Sequence, residues 1–121
     1  MKILLAIGAG SFIGGVCRFL LSQFIQTKFP SSFPFATFAV NVIGCLSIGI
    51  VYGLFFKNSL GNEWRLFLAT GILGGFTTFS AFTFETVELI KNGKINLALL
   101  YIGASILLGL AATFIGWQVT K

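Results

Sequence analysis

The most unusual stretch of the chain is Gly71-Ile72-Leu73-Gly74-Gly75-Phe76-Thr77-Thr78-Phe79-Ser80-Ala81-Phe82. Gly74-Gly75 followed by Thr77-Thr78 is a poor helix interior. Such a segment is either a mild kink bridged by threonine hydroxyls or a true break, and the residues alone leave both open. A break would free backbone carbonyls, which must be satisfied by hydroxyls, water or a hard cation such as sodium. Beyond it Phe79, Phe82 and Glu85 recur every three residues on one helical face, flanked by Ser80 and Thr83. A phenyl ring has a positive edge, so two ring edges facing a path would attract an anion weakly. A phenylalanine stripe at helical spacing is otherwise ordinary core. Arg18 and Asn41 lie deep in apolar segments and must face protein or water. Thr37, Ser47, Tyr101, Ser105 and Thr113 add hydroxyls in similar settings. The three acidic residues are Glu63, Glu85 and Glu88. Donors therefore outnumber acceptor charges, which favours an anion over a cation as the species handled. There is no histidine or aspartate, no phosphate loop and no nucleophile elbow, so enzyme readings have little to stand on.

The elements that position these residues follow from composition. Of 121 residues, 56% are hydrophobic and 9% charged, and mean hydropathy is +0.98. A soluble domain carries roughly 25% charged residues. Residues 29–56, 66–84 and 95–120 carry no charge, and residues 3–27 carry only Arg18. A spanning helix needs about 20 mainly apolar residues. The reading is an all-α integral membrane protein forming one domain over residues 1–121. Its four transmembrane helices lie at about 3–26, 33–56, 64–90 and 95–119. The first is a retained helix and not a cleaved signal, because it is long and Arg18 interrupts it. Pro30 and Pro34 break the chain between helices one and two, and Gly93 stops helix three. Cys17 and Cys45 read as two small buried thiols in apolar segments.

Topology is balanced. Lys2, Lys57, Arg65 and Lys121 would share one side; Lys28, Lys91 and Lys94 would share the other. Orientation follows an excess of Lys and Arg on the cytoplasmic side, and here there is no excess. The chain can insert both ways up, and opposed copies could pair. The formal charge of +5 is divided between faces, so it does not point to nucleic acid. Gly10 with Gly14, Gly49 with Gly53, and Gly71 with Gly75 are small residues four apart. They suit close helix contact within a subunit or between subunits. Four helices enclose little volume, so a pathway would need a second subunit.

Three motifs in order resemble the Fluc (CrcB) family of fluoride channels. Gly14-Gly15-Val16-Cys17-Arg18 resembles the family's G-G-x-x-R, and Phe38-Ala39-Val40-Asn41-Val42-Ile43-Gly44 resembles its V-N-x-x-G. The 71–82 run resembles G-x-x-G-G-x-T-T-F-S-T-F, with Ala81 where the family often has threonine. The resemblance covers nearly the whole chain. It implies an antiparallel, dual-topology homodimer in the inner (plasma) membrane, with helix three broken mid-membrane. Two pores and one structural sodium on the dimer axis are implied as well. By position, the carbonyls of Gly74 and Thr77 would hold sodium. Phe79 and Phe82 would form the ring-edge box. Asn41 would donate to fluoride, and Ser80, Thr83, Tyr101, Thr37 and Ser105 would form a polar track. Glu85 would sit near a pore mouth, and Arg18 would be a vestibule or structural cation. The implied function is passive, fluoride-selective export that lowers cytoplasmic fluoride. The rival is a four-helix, dual-topology exporter of drugs or small cations. That carrier needs a titratable carboxylate deep in a helix, and helix one has none.

Overall fold

The computed structural model describes residues Met1–Lys121 and contains four helices long and apolar enough to cross a membrane. They are α1 (Lys2–Lys28), α2 (Phe35–Phe56), α3 (Asn62–Lys91) and α4 (Ile95–Val119). The expected boundaries hold to within two residues. α2 starts at Phe35 and not at 33, because Pro34 caps it and the Phe35 N–H turns back to the Phe33 carbonyl at 2.8 Å. Gly93 ends α3 as expected, with φ +76° in the left-handed region.

α3 is irregular along its first half. One α-turn at Asn62–Arg65 gives way to wide i→i+5 turns over Leu66–Leu73, then to α geometry again at Gly74–Phe76. Thr77 (φ −89°, ψ 157°) and Thr78 (φ −149°, ψ 118°) are extended. The helix resumes at Phe79 and runs to Lys91. The segment is therefore broken and not merely kinked, and the break falls on the threonines. Gly74 itself is helical, at φ −62° and ψ −38°.

Only 18 of the 121 residues are buried, because most leucines, isoleucines and phenylalanines of the spans point outward; Cys17, expected to be buried, is exposed with them, and Cys45 is only partly covered. That distribution suits a lipid solvent, in which apolar side chains gain nothing by hiding from their surroundings. Cohesion comes from backbone approach and interhelical hydrogen bonds. α1 lies along the first half of α3, and α2 lies along α4. A methyl on Gly14 would overlap the carbonyl oxygen of Ile72. One on Gly49 would overlap that of Thr113, and one on Gly116 that of Leu46. Gly10 and Gly71 face each other, Gly75 faces Ser11, and Gly53 faces Thr120. All three glycine pairs of the sequence are thus engaged inside one protomer. Thr113 Oγ1 adds a bond from α4 to the Cys45 carbonyl of α2, 3.0 Å, whereas Ser47 bonds within its own helix. The one compact apolar cluster is Leu89, Ala98 and Tyr101, packed by Phe33, Phe38, Phe82 and Leu97.

Gly14→Ala is expected to destabilise the protein by about 1–3 kcal/mol, the usual range for forcing extra volume into a packed site. Its obstacle is backbone, which cannot swing aside. Thermal unfolding in detergent reads the effect, and Gly15→Ala, which meets open space, is the matched control.

Candidate functional site

The break in α3 strips backbone groups of their helical partners, and side chains of the two preceding helices take those groups up. Asn41, two turns into α2, pairs with both polar groups of Thr78. Its Nδ2 donates to the Thr78 carbonyl at 3.0 Å, and its Oδ1 accepts from the Thr78 N–H at 2.9 Å. Arg18 of α1 donates from Nε to the Gly75 carbonyl at 3.1 Å. Thr78 also caps the resumed helix, its Oγ1 accepting from the Ala81 N–H at 3.1 Å. Thr77 turns its hydroxyl back to the Leu73 carbonyl, 2.9 Å. The carbonyls of Gly74 and Thr77 accept none of the bonds that close the break. Gly44 on α2 leaves room for the Thr77 methyl, which a Cβ there would strike.

A second cluster lies one turn along each helix. Thr37 Oγ1 donates to Glu85 Oε2 at 2.9 Å, and the Tyr101 hydroxyl donates to Glu85 Oε1 at 3.0 Å. Tyr101 is completely buried. Thr37 and Asn41 are four residues apart on α2, and Tyr101 and Ser105 are four apart on α4. Each pair is offset by about 6 Å along its helix axis. The phenyl rings link the two levels. Phe79 and Phe82 stand 5.8 Å apart with planes at 43°, and Phe82 lies 5.0 Å from the Tyr101 ring at 60°. Asn41, Thr77, Phe79, Phe82 and Ser105 line one open groove of about 490 Å3, with Gly74 at its edge.

Most residues singled out from the sequence therefore converge, in two groups. Arg18, Asn41, Gly74 and Thr77 gather at the break; Thr37, Glu85 and Tyr101 gather around the carboxylate. Thr83 stays apart from both, and Ser80 meets the break only through the Thr78 hydroxyl. Both residues are exposed, and Thr83 Oγ1 bonds the Ser80 carbonyl of its own helix at 3.0 Å. The Ser80 hydroxyl lies 3.4 Å from that of Thr78. The rings differ too: Phe79 is 77% exposed, while Phe82 is held in the cluster. Two contributors were not anticipated. Thr78 is the partner of Asn41, and the Gly75 carbonyl is the partner of Arg18. A threonine directly before a resumed helix, placed to cap the N–H three residues on, is the signal that could have found Thr78.

Fold and site together define a small, all-helical membrane protein with four spans and a third span broken at mid-length. The chain belongs to the CrcB family, whose model, described as CrcB-like protein, Camphor Resistance (CrcB), matches residues 5–117. It is similar along its length to proteins named fluoride-specific ion channel FluC. The one from Flavobacterium psychrophilum is 41% identical, over 100% of this chain and 98% of that relative. One from Pseudomonas fluorescens is 43% identical, with the same coverage. One from Thermus thermophilus is 39% identical, over 98% of this chain and 95% of the relative. The family expected from the three sequence motifs is thus the right one.

Proposed function

We propose that the chain is a passive, fluoride-selective channel, and not an enzyme, that lets fluoride leave the cell down its gradient. The observation that carries this is the Asn41 amide set beside the Phe79 and Phe82 rings in one groove, with further polar side chains at two levels. Asn41 and Ser105 stand at one level; Thr37 and Tyr101, whose hydroxyl hydrogens go to Glu85, stand at the next. The Phe79 and Phe82 rings run between them. Fluoride is small and strongly hydrated, so a path must replace much of its water shell without trapping it. Single neutral donors and ring edges in series do that. A lysine or arginine on the path would bind too tightly, and Arg18 is directed instead at a backbone carbonyl. The Asn41 amide has a second Nδ2 hydrogen beyond the one given to Thr78, and this is the donor we assign to fluoride. The names of the relatives support fluoride as the ion and do not favour the drug or cation exporter.

The working unit in this reading is an antiparallel homodimer in the plasma membrane. Phe79, Ser80, Thr83 and Gly74 are exposed within a span, and flanking charges choose no orientation. A second, inverted copy would cover the open groove and complete a path on each side. The unpaired carbonyls of Gly74 and Thr77 fit a sodium ion, which takes neutral oxygen ligands. Bound there between two copies, sodium would supply a fixed positive charge to the centre of the dimer.

Purified protein in liposomes loaded with potassium fluoride tests the channel directly. With valinomycin clamping the potential, an external fluoride electrode should record rapid release, and chloride-loaded vesicles should release little. Release that needs no ionophore, or a requirement for a proton gradient, would overturn passive conduction.

A further inference from the structure

At one end of the bundle the loop between α1 and α2 meets the loop between α3 and α4 around a second cavity, about 420 Å3. Its wall reaches Glu85, the carboxylate held by Thr37 and Tyr101, and it also includes Glu88, Asn92, Lys94 and Ser32. The cavity therefore joins the inner cluster to the aqueous face. Two charges of opposite sign stand on its outer part. Glu88 is exposed and lies three residues, one helical turn, beyond Glu85. Lys94 follows the Gly93 turn, and its Nζ donates to Ser32 Oγ on the facing loop. That bond holds a flexible side chain at the rim. Lys28 and Lys91 end the helices that lead into these two loops and do not line the cavity.

We propose that Lys94 is the collecting charge of this mouth, with Glu88 as its counterweight, so that the pair sets how fast anions reach the inner cluster. This rests on the channel reading above. An anion in a cavity of this size feels each rim charge through several ångströms of mainly aqueous medium. That interaction changes local anion concentration by about two- to threefold per charge. It acts before the ion is dehydrated, so it alters throughput and leaves ion preference alone. Being solvent-exposed, it is screened: the Debye length is about 30 Å at 0.01 M salt and about 3 Å at 1 M.

The test is initial fluoride release from liposomes at about 10 mM and about 1 M ionic strength. At low salt Lys94→Gln should slow release about two- to threefold, and Glu88→Gln should speed it by a similar factor. Both should converge on wild type at high salt. Lys94→Arg, which keeps the charge, should match wild type throughout. Lys57→Gln, the same charge change on the α2–α3 loop, which does not line the cavity, should have a smaller effect. Equal rates for all variants at low salt would overturn the inference. So would a Lys94→Gln defect that persists at high salt, since it would mark a structural tether, or an equal defect in Lys57→Gln. If wild type itself releases no fluoride, the channel reading falls and this inference with it. If wild type conducts and the variants are insensitive, only the rim charges are refuted.

Discussion

Asn41→Leu is expected to abolish fluoride release and to destabilise the protein by about 2–6 kcal/mol. The second figure follows from the break. Leucine leaves the Thr78 N–H and carbonyl both unpaired inside the bilayer, and each buried orphan costs about 1–3 kcal/mol. The first follows from the missing amide donor on the path. A single variant cannot separate the two effects, but Asn41→Asp can. An ionised aspartate still accepts from the Thr78 N–H at the position of Oδ1. It loses the donor to the Thr78 carbonyl and sets a negative charge on the proposed anion path. A protonated aspartate has the hydrogen-bonding shape of asparagine toward Thr78, an acceptor on one oxygen and a donor on the other. Thermal stability of Asn41→Asp should therefore recover as pH is lowered through the carboxyl titration, while the wild-type curve shows no such step from this position. Release at neutral pH should stay near background. A stable, conducting Asn41→Leu protein would refute both roles.

Phe82→Ile and Phe79→Ile should each slow release by about tenfold or more, corresponding to a loss of about 1.4 kcal/mol in the barrier. Isoleucine is apolar and of similar bulk but has no ring quadrupole, so the weak attraction at the ring edge disappears. The two substitutions should part company in stability. Phe82 is packed against Tyr101 at 5.0 Å, and losing that aromatic pair costs about 0.5–1.5 kcal/mol. Phe79 pairs with Phe82 at 5.8 Å but is 77% exposed in the protomer, so its replacement should cost protomer stability less. Melting temperature and release measured on the same samples resolve this. Unchanged release in both would remove the rings from the path and leave the hydroxyls and Asn41 as its whole lining.

The four spans were legible because charge is so unevenly distributed. Three charge-free runs of more than 18 residues, and a fourth interrupted only by Arg18, have few other homes, and Pro34 and Gly93 mark helix ends by backbone chemistry that hardly depends on context. Residues of the site were legible where a polar group sits in hydrocarbon without local cause, as with Arg18 and Asn41. What each of them touches was not, because contacts across 57 and 37 residues depend on the register between helices. The break shows the same limit. Gly74-Gly75 reads as its weakest point, yet both glycines stay helical. Gly75 instead lets α3 close on Ser11 of α1. The chain departs from helix at Thr77 and Thr78, where Asn41 and the Thr78 hydroxyl offer other partners. The wide turns over Leu66–Leu73 had no warning in an apolar run of ordinary composition.

The side chains that stitch the break carry a consequence for biosynthesis. Arg18 and Asn41 both precede Thr78 in the chain, so both are made and inserted before the broken helix leaves the ribosome. A nascent α3 entering the bilayer alone would expose unpaired amides to lipid, at several kcal/mol for each. With α1 and α2 already resident, those amides meet their acceptors and donors on arrival. The order of translation thus matches the order of need. A gene split between α2 and α3 should still yield protein when both pieces are made together. The 62–121 piece made alone should be degraded, because it lacks both partners that make its interruption tolerable.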